Sequence, residues 1–458
     1  MKLLIKNGQI INSDISIKAD ILSEMGKIIK IDENIKPDSE TNTIIDATGC
    51  YVFPGGIDPH VHMHLPSPAG FSSDNFLSGS KAALFGGTTT MIDFVTPQKD
   101  QSLTDALNKR KEEAKNSIID YSFHVSPVKW TKTTEKEIIS IIKNEGINSF
   151  KIYMAYKNTI GLDDKDILEV MKAVGKAGGI VTSHCELGDD IEILRNSFAE
   201  SENLSPEFHP KSRPPEMEFK AVKKAIELAK IADCPLYIVH VSAKESLKYI
   251  EEAQKKGQIV FAETCPHYLL LNDMKYEGEF NKTSPFILSP PLRKHKDNES
   301  LWKAIFDGTI QTIGTDHCPF TLKQKEFGIT DFRKIPNGAG SIEHRLVLLF
   351  TFGVLKNKIS LNRFVDITST QAAKIFGLYP KKGKIAEKSD ADLIIWDPEK
   401  ENIISAKTHH QNCDINIFEN FKTKGAVKHL IKNGEIVIQD GALILENVYG
   451  NFLKRKKT

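Results

Sequence analysis

Residues 51–58 read YVFPGGID, and residues 88–95 read TTTMIDFV. Both are short apolar runs of strand length. The second is preceded by Gly86-Gly87, and Gly-Gly-Thr at 86–88 fits a helix end entering a strand better than a phosphate loop. The same kind of run returns at YSFHVS (121–126), INSFKIYM (147–154), IVTSH (180–184), PLYIVHV (235–241), QIVFAET (258–264) and TIGTD (312–316). Amphipathic stretches lie between the runs, such as EKEIISIIKNEG (135–146), KDILEVMKAVGKAGG (165–179) and EFKAVKKAIELAKIADC (218–234). The last two stop at Gly or at a Cys-Pro break, as helices do. Strands alternating with helices imply a parallel sheet. Eight repeats over about 330 residues predict a TIM (β/α)8 barrel with long loops. The other parallel solution, an open doubly wound sheet, would bring a GxGxxG turn after the first strand, and none is present.

Outward from the barrel, the two ends of the chain resemble each other. Residues 3–11 read LLIKNGQII and residues 430–437 read LIKNGEIV. Asn-Gly readily adopts positive φ at both turn positions, so each reads as a tight hairpin. With ISIKADILS (15–23) and ADLIIWDP (391–398), they predict one small β-sandwich built from both termini. The expected division is 1–53 and 385–450 for the sandwich, 54–384 for the barrel, and 451–458 as a basic tail. That tail, with Lys454, Arg455, Lys456 and Lys457, reads as a solvated terminus.

Composition excludes several classes of function. Over 458 residues, 61 Lys and Arg face 60 Asp and Glu, for a net charge of +1. Such a balance gives no electrostatic reason to bind nucleic acid or an anionic membrane. No apolar run approaches the roughly 20 residues that span a bilayer. The opening MKLLIKNGQI has no signal-peptide pattern. Six cysteines without a CxxC pair suggest neither a disulfide framework nor a thiolate zinc site, and suit a reducing cytoplasm.

The chemistry sits at the carboxyl ends of the predicted strands, where barrel active sites form. His60 and His62 follow the first strand. Residues i and i+2 of an extended chain point the same way, so both imidazoles can reach one metal. Strand four carries Lys151, strand five ends at His184, strand six at His240 and strand eight at Asp316. Each could be innocent alone: a strand-end histidine is commonly structural, and Asp316 could cap a helix. Together on one barrel face they read as a metal centre. A lysine ammonium would repel metal ions there. Burial and positive neighbours lower a lysine pKa, and the neutral amine can add carbon dioxide to give an anionic carbamate that bridges two metals. The bland alternative is a lysine snorkelling from the strand. Of the cysteines beside these positions, Cys185 points away and packs; Cys318 is open to either reading.

At this point the ordered series GGIDPHVHMHLPSPAG, FKIYMAY, HCELGD, HPKSRPPE, CPHYLL, SPPLR, GTDHCPF, IPNG and HHQNCDINIFENF resembles the dihydropyrimidinase/hydantoinase family of cyclic amidohydrolases, over about residues 3–440. The resemblance implies two Zn2+ per chain, with His60 and His62 on one, His184 and His240 on the other, carboxylated Lys151 bridging and Asp316 on the first. It implies Tyr156 on the carbonyl oxygen under attack, and main-chain groups of Ser289 and Asn337 on the ring amide. It also implies hydrolytic ring opening by a metal-bridged hydroxide, with Asp316 moving the proton, in a homotetramer whose partner is a small cyclic amide such as dihydrouracil or a hydantoin. Three positions depart from the family pattern: His64 for Gln, Asp or Glu, His344 for Asp, and Leu187 for Asn. His64 is either a third loop ligand or a rim histidine. Dihydroorotase would place an Arg at position 64, allantoinase fits the C-terminal motif less well, and a noncatalytic relative would lack metal ligands.

Overall fold

The computed structural model describes the whole chain except residues 1, 42, 99, 445–447, 457 and 458. Its centre is an eight-stranded parallel sheet in sequential order, and its ends form two further sheets. The barrel strands are Gly56–Val61, Thr88–Val95, Asp120–Val125, Ser149–Tyr153, Ile180–His184, Leu236–Ile238, Val260–Thr264 and Thr312–Ile313. Their residues are buried almost throughout, because a parallel strand has a packed interior on one face and helices on the other. Val61 bridges His317 in parallel, which brings the first strand against the chain beyond the last and nearly closes the barrel. Helices Asp164–Lys176, Pro215–Ala232 and Lys244–Lys255 lie where amphipathic periodicity places them. The last residue of Phe76–Phe85 is followed by Gly86 and by Gly87 at φ +85°, the helix-end geometry read from Gly-Gly-Thr.

The predicted first strand, 51–58, is in fact two. Tyr51–Pro54 pairs with Leu393–Ile403 in the terminal sheet, and Gly56–Val61 pairs with Thr88–Val95 in the barrel. The exchange happens at Gly55. A Cβ there would lie 2.1 Å from Thr89 Oγ1, so only glycine lets the chain pass this close to the second barrel strand.

Both termini feed the outer sheets. Lys2–Lys6 pairs with Asp20–Glu24 and Thr43–Asp46 in a four-stranded sheet, while Lys422–Lys432 and Leu393–Ile403 lie central in a seven-stranded one. Leu3, Ile21, Val52, Leu393, Ile395 and Ile431 belong to the core that these sheets share. The two Asn-Gly pairs behave differently. Asn433 and Gly434 have φ of +49° and +77° and join Lys432 to Glu435 in a two-residue hairpin. Asn7-Gly8 is not a hairpin, which corrects the sequence reading: Lys2–Lys6 and Gln9–Ile11 lie in different sheets. Of that pair only Asn7 has positive φ, at +62°, and the turn needs both. A Cβ on Gly8 would meet Val52 Cγ2 at 2.6 Å, so this glycine serves close sheet packing.

The basic tail also departs from expectation. Leu453 and Arg455 are buried, and Leu453 N–H donates to Tyr121 O at 2.8 Å. Asn148 Nδ2 donates to Lys456 O at 2.7 Å. Arg455 donates to Phe123 O, so this segment is a packed strap beside the third barrel strand and not a solvated arm. Lys457 lies outside the described residues.

Where barrel meets outer sheet, Lys382 is buried among three carboxylates. Its Nζ lies 2.5 Å from Asp120, 3.0 Å from Asp390 and in contact with Asp392, while Lys432 reaches Asp120 at 3.0 Å. Asp120 opens the third barrel strand and Asp392 immediately precedes Leu393–Ile403, so one ammonium ties the two units.

Candidate metal centre

The six sequence-predicted ligand positions converge at the carboxyl end of the barrel. His60 Nε2 and His62 Nε2 each lie 3.1 Å from Asp316 Oδ1. The His60–His240 and His184–His240 ring centres are 5.4 and 4.6 Å apart. The nearest ligand atoms of His60, His240 and Asp316 fall within 4.8 Å of one another, the spacing of donors around one cation. Lys151 Nζ enters from the fourth strand, 4.9 Å from the ring centre of Phe94 and 5.1 Å from that of Tyr153. Among the described residues it has no hydrogen-bond or ion-pair partner.

Backbone strain marks the same place. Tyr156, His240 and Asp316 have φ of +59°, +40° and +49°, a region that non-glycine residues enter at a cost. Such residues persist where surrounding structure holds a side chain at a required angle.

At three of the four histidines and at Asp316 the electrostatics fit a cation. Burial pushes the His62, His184 and His240 imidazolium forms down, so these rings are lone-pair donors at neutral pH. For His60 burial works the same way but is outweighed by Glu263 and Asp316, which hold it up at about 9. Asp316 is likewise desolvated, yet His60 and His62 keep it well below the carboxylate range. Burial pushes the Lys151 ammonium down to about 8, against the pull of Asp316 and Glu263. His60 Nε2 is buried without a hydrogen-bond partner, since its approach to Asp316 lacks hydrogen-bond geometry. An unpartnered donor nitrogen in a ring of imidazoles and carboxylate is what a bound divalent ion would satisfy, whereas the Lys151 ammonium as it stands would repel one.

Two carboxylates missing from the sequence reading aim these candidate ligands. Glu263 Oε1 takes His60 Nδ1 at 2.6 Å and the His240 N–H at 3.2 Å, which leaves His60 Nε2 facing the site. Its other oxygen accepts Tyr237 O–H at 2.7 Å. Glu186 takes His184 Nε2 at 2.7 Å and also accepts from buried Arg213. A glutamate within the apolar run QIVFAET was the available signal, because an unpaired buried carboxylate is rarely tolerated.

Of the residues expected on the substrate side, Tyr156 stands beside this cluster. The Tyr156 ring centre is 5.4 Å from that of His184 and 5.4 Å from the Arg213 guanidinium carbon. Ser289 Oγ and Asn337 Oδ1 are buried without hydrogen-bond partners. His64 is not among the clustered ligands; its half-buried ring stacks on Phe71 with centres 4.0 Å apart, which makes it a rim histidine. His344 is buried, pushed down to about 4 by desolvation, with Nε2 accepting from Asn416 Nδ2 at 2.8 Å. Leu187 precedes helix Gly188–Glu200 and caps nothing. Cys185 is buried with its thiol pushed up to about 12, and Cys318 is raised further, so both remain neutral packing groups.

A barrel carrying histidines and an aspartate at its mouth defines an amidohydrolase, and the profile of the Amidohydrolase family matches residues 51–437: the chain belongs to that family. Within it, the chain is 43% identical to the D-hydantoinase of Geobacillus stearothermophilus, covering 100% of this chain and 97% of that one. It is 38% identical to the dihydropyrimidinase of Rattus norvegicus, over 99% of this chain and 89% of that one. The crystal structure of dihydropyrimidinase from Brevibacillus agri superposes with a TM-score of 0.98 at 41% identity, covering 100% of this chain and 99% of that one. The protein is thus a cyclic amidohydrolase of the hydantoinase and dihydropyrimidinase type. Among the described residues no helix is long and apolar enough to cross a membrane.

Proposed function

We propose that the chain opens 5,6-dihydropyrimidine and hydantoin rings by hydrolysis, with His60, His62 and Asp316 holding one zinc ion, His184 and His240 a second, and carboxylated Lys151 between them. The observation that carries this reading is the convergence of four imidazoles and Asp316 around an amine with no partner. In carboxylation the ammonium first loses one proton to solvent; the neutral Lys151 nitrogen then bonds to the carbon of CO2 and releases a second proton, so that a misplaced cation becomes a two-oxygen anion. Bound divalent ions supply Lewis-acid polarisation of the amide carbonyl and acidify water.

The remaining work falls to side chains. Asp316, ionised through the neutral range, accepts a proton from the attacking water and hands it to the departing ring nitrogen. The Tyr156 hydroxyl donates to the carbonyl oxygen as charge builds on it. Main-chain groups of Ser289 and Asn337 pair with the ring amide edge. Glu263 and Glu186 keep His60 and His184 turned toward the centre. A homotetramer is part of the same proposal, and six unpaired cysteines suit a reducing cytoplasm.

The test is a substrate panel on metal-replete protein. Dihydrouracil, dihydrothymine and hydantoin should be opened with a higher kcat/KM than dihydroorotate, because His64 offers no permanent charge for a carboxylate. A dihydroorotate value above every neutral ring would overturn the assignment.

A further inference from the structure

Lys325 is the last residue of the short helix Leu322–Lys325 and is only 1% exposed. An ammonium has three N–H donors, and here each finds a backbone oxygen: Ile287 O at 3.1 Å, Pro336 O at 2.7 Å and Gly338 O at 2.9 Å. Among the described residues no carboxylate pairs with it. The acceptors come from two separate loops. One runs through Ile287 to Ser289, the other through Pro336, Asn337 and Gly338. The Gly338 N–H donates to Ile287 O at 3.0 Å, so the loops touch at the point the ammonium holds. Gly338 has φ +136°, and a Cβ there would meet Cys318 O at 2.4 Å, which leaves the second loop little freedom on its far side. Ser289 and Asn337, whose side-chain oxygens are buried and unpartnered, lie two residues and one residue from the clamped carbonyls.

Burial pushes this ammonium down to about 7, so a polar group buried only to bind carbonyls is an expensive way to join two loops, and an apolar residue would serve simple packing better. What the ammonium adds is a fixed spacing between two backbones. We propose that Lys325 is a positioning residue for substrate: it sets the distance between the Ser289 and Asn337 main chains so that both meet the amide edge of one ring. This rests on the reading that those main-chain groups bind the ring. Lys325 itself touches neither ring nor metal ligands. It acts on binding and leaves the metal centre alone.

The test compares Lys325→Met, which keeps length and loses the donors, with Lys325→Gln, which keeps two. Hydrogen exchange is followed at the amides of residues 287–289 and 337–338 without substrate, and ring opening is assayed on dihydrouracil and hydantoin. For Lys325→Met, exchange in both loops should quicken at least about tenfold, the loss expected for hydrogen bonds to a charged donor, and KM should rise by a similar factor. Metal content, inhibition by acetohydroxamate (a ligand for the metals alone) and kcat within about threefold of the parent should be retained. Lys325→Gln should fall between, and it answers the question if Lys325→Met does not fold. Unchanged exchange in both loops would overturn the proposal. Faster exchange with an unchanged KM would also overturn it, by showing that the clamped loops do not hold the ring. Failure of the parent to open any cyclic amide would sink the functional reading itself, a distinct result because exchange is read without substrate.

Discussion

Lys151 and Lys382 are both almost wholly buried, and the fold treats them in opposite ways. Around Lys382, burial alone would weaken the ammonium, but Asp392, Asp120 and Asp390 outweigh it and hold its pKa well above the usual lysine range. Around Lys151 no partner answers the burial, and the ammonium is pushed down to about 8. One lysine lies where barrel meets outer sheet, the other at the barrel mouth. A buried charge with its counter-charges in place joins elements; a buried amine with neither counter-charges nor hydrogen-bond partners is available for chemistry.

The contrast can be broken most severely at the mouth. Lys151→Ala should lower ring-opening activity by more than about a hundredfold, since even outer partners of metal ligands are worth 10–100-fold. Metal occupancy should drop with it, and short carboxylic acids should restore part of both by replacing the carbamate. Unchanged hydrolysis by Lys151→Ala would end the carbamate account. Compared in the metal-free state, unfolding by denaturant should barely register the change.

Lys382→Met should do the reverse. It strands buried Asp392 and weakens the pairing of Asp120 and Asp390, which keep Lys432 and Lys27, so stability should fall by about 3–5 kcal/mol while folded enzyme keeps its kcat. The acid limb sharpens the point. Burial would raise the Asp120 carboxyl, but Lys382 and Lys432 hold it at about 2, below the roughly 3.9 of an unfolded aspartate. The stability it contributes is therefore complete above about pH 4 and lost as pH falls toward 2. That loss should shrink in Lys382→Met, as measured by unfolding at stepped pH.

Smaller effects belong to the residues that aim the ligands. Glu263→Gln keeps shape and removes charge, so metal affinity should weaken about 10–100-fold, read by competition with a chelator. At the rim, His64→Ala removes only a stack on Phe71 and should change kcat/KM for hydantoin by less than about tenfold, worth 1.4 kcal/mol or less. An effect of His64→Ala as large as that of Lys151→Ala would make His64 a ligand.

The same division explains what could be read from the chain alone. The barrel was readable because eight apolar runs alternate with amphipathic helices, and the site because ligand residue types recur at strand ends. What stayed hidden depended on tertiary partners. Gly55 looks like any turn glycine until Thr89 stands against it. Asn7-Gly8 and Asn433-Gly434 share a dipeptide, yet the first passes between sheets because Val52 packs on its glycine. Arg455 reads as part of a charged tail, and its burial beside Phe123 follows from a barrel strand more than 300 residues earlier. Glu263 and Glu186 become meaningful only once His60 and His184 lie beside them.

The central claim is that the mouth of the barrel is a two-metal site built around Lys151. Elemental analysis of protein purified without chelator, run beside a hydantoin ring-opening assay, tests it most directly. The account predicts about two zinc-like ions per chain, lost together with activity on chelation and regained together when metal and bicarbonate are returned. Protein that holds no metal at all and stays inactive after reconstitution would contradict it.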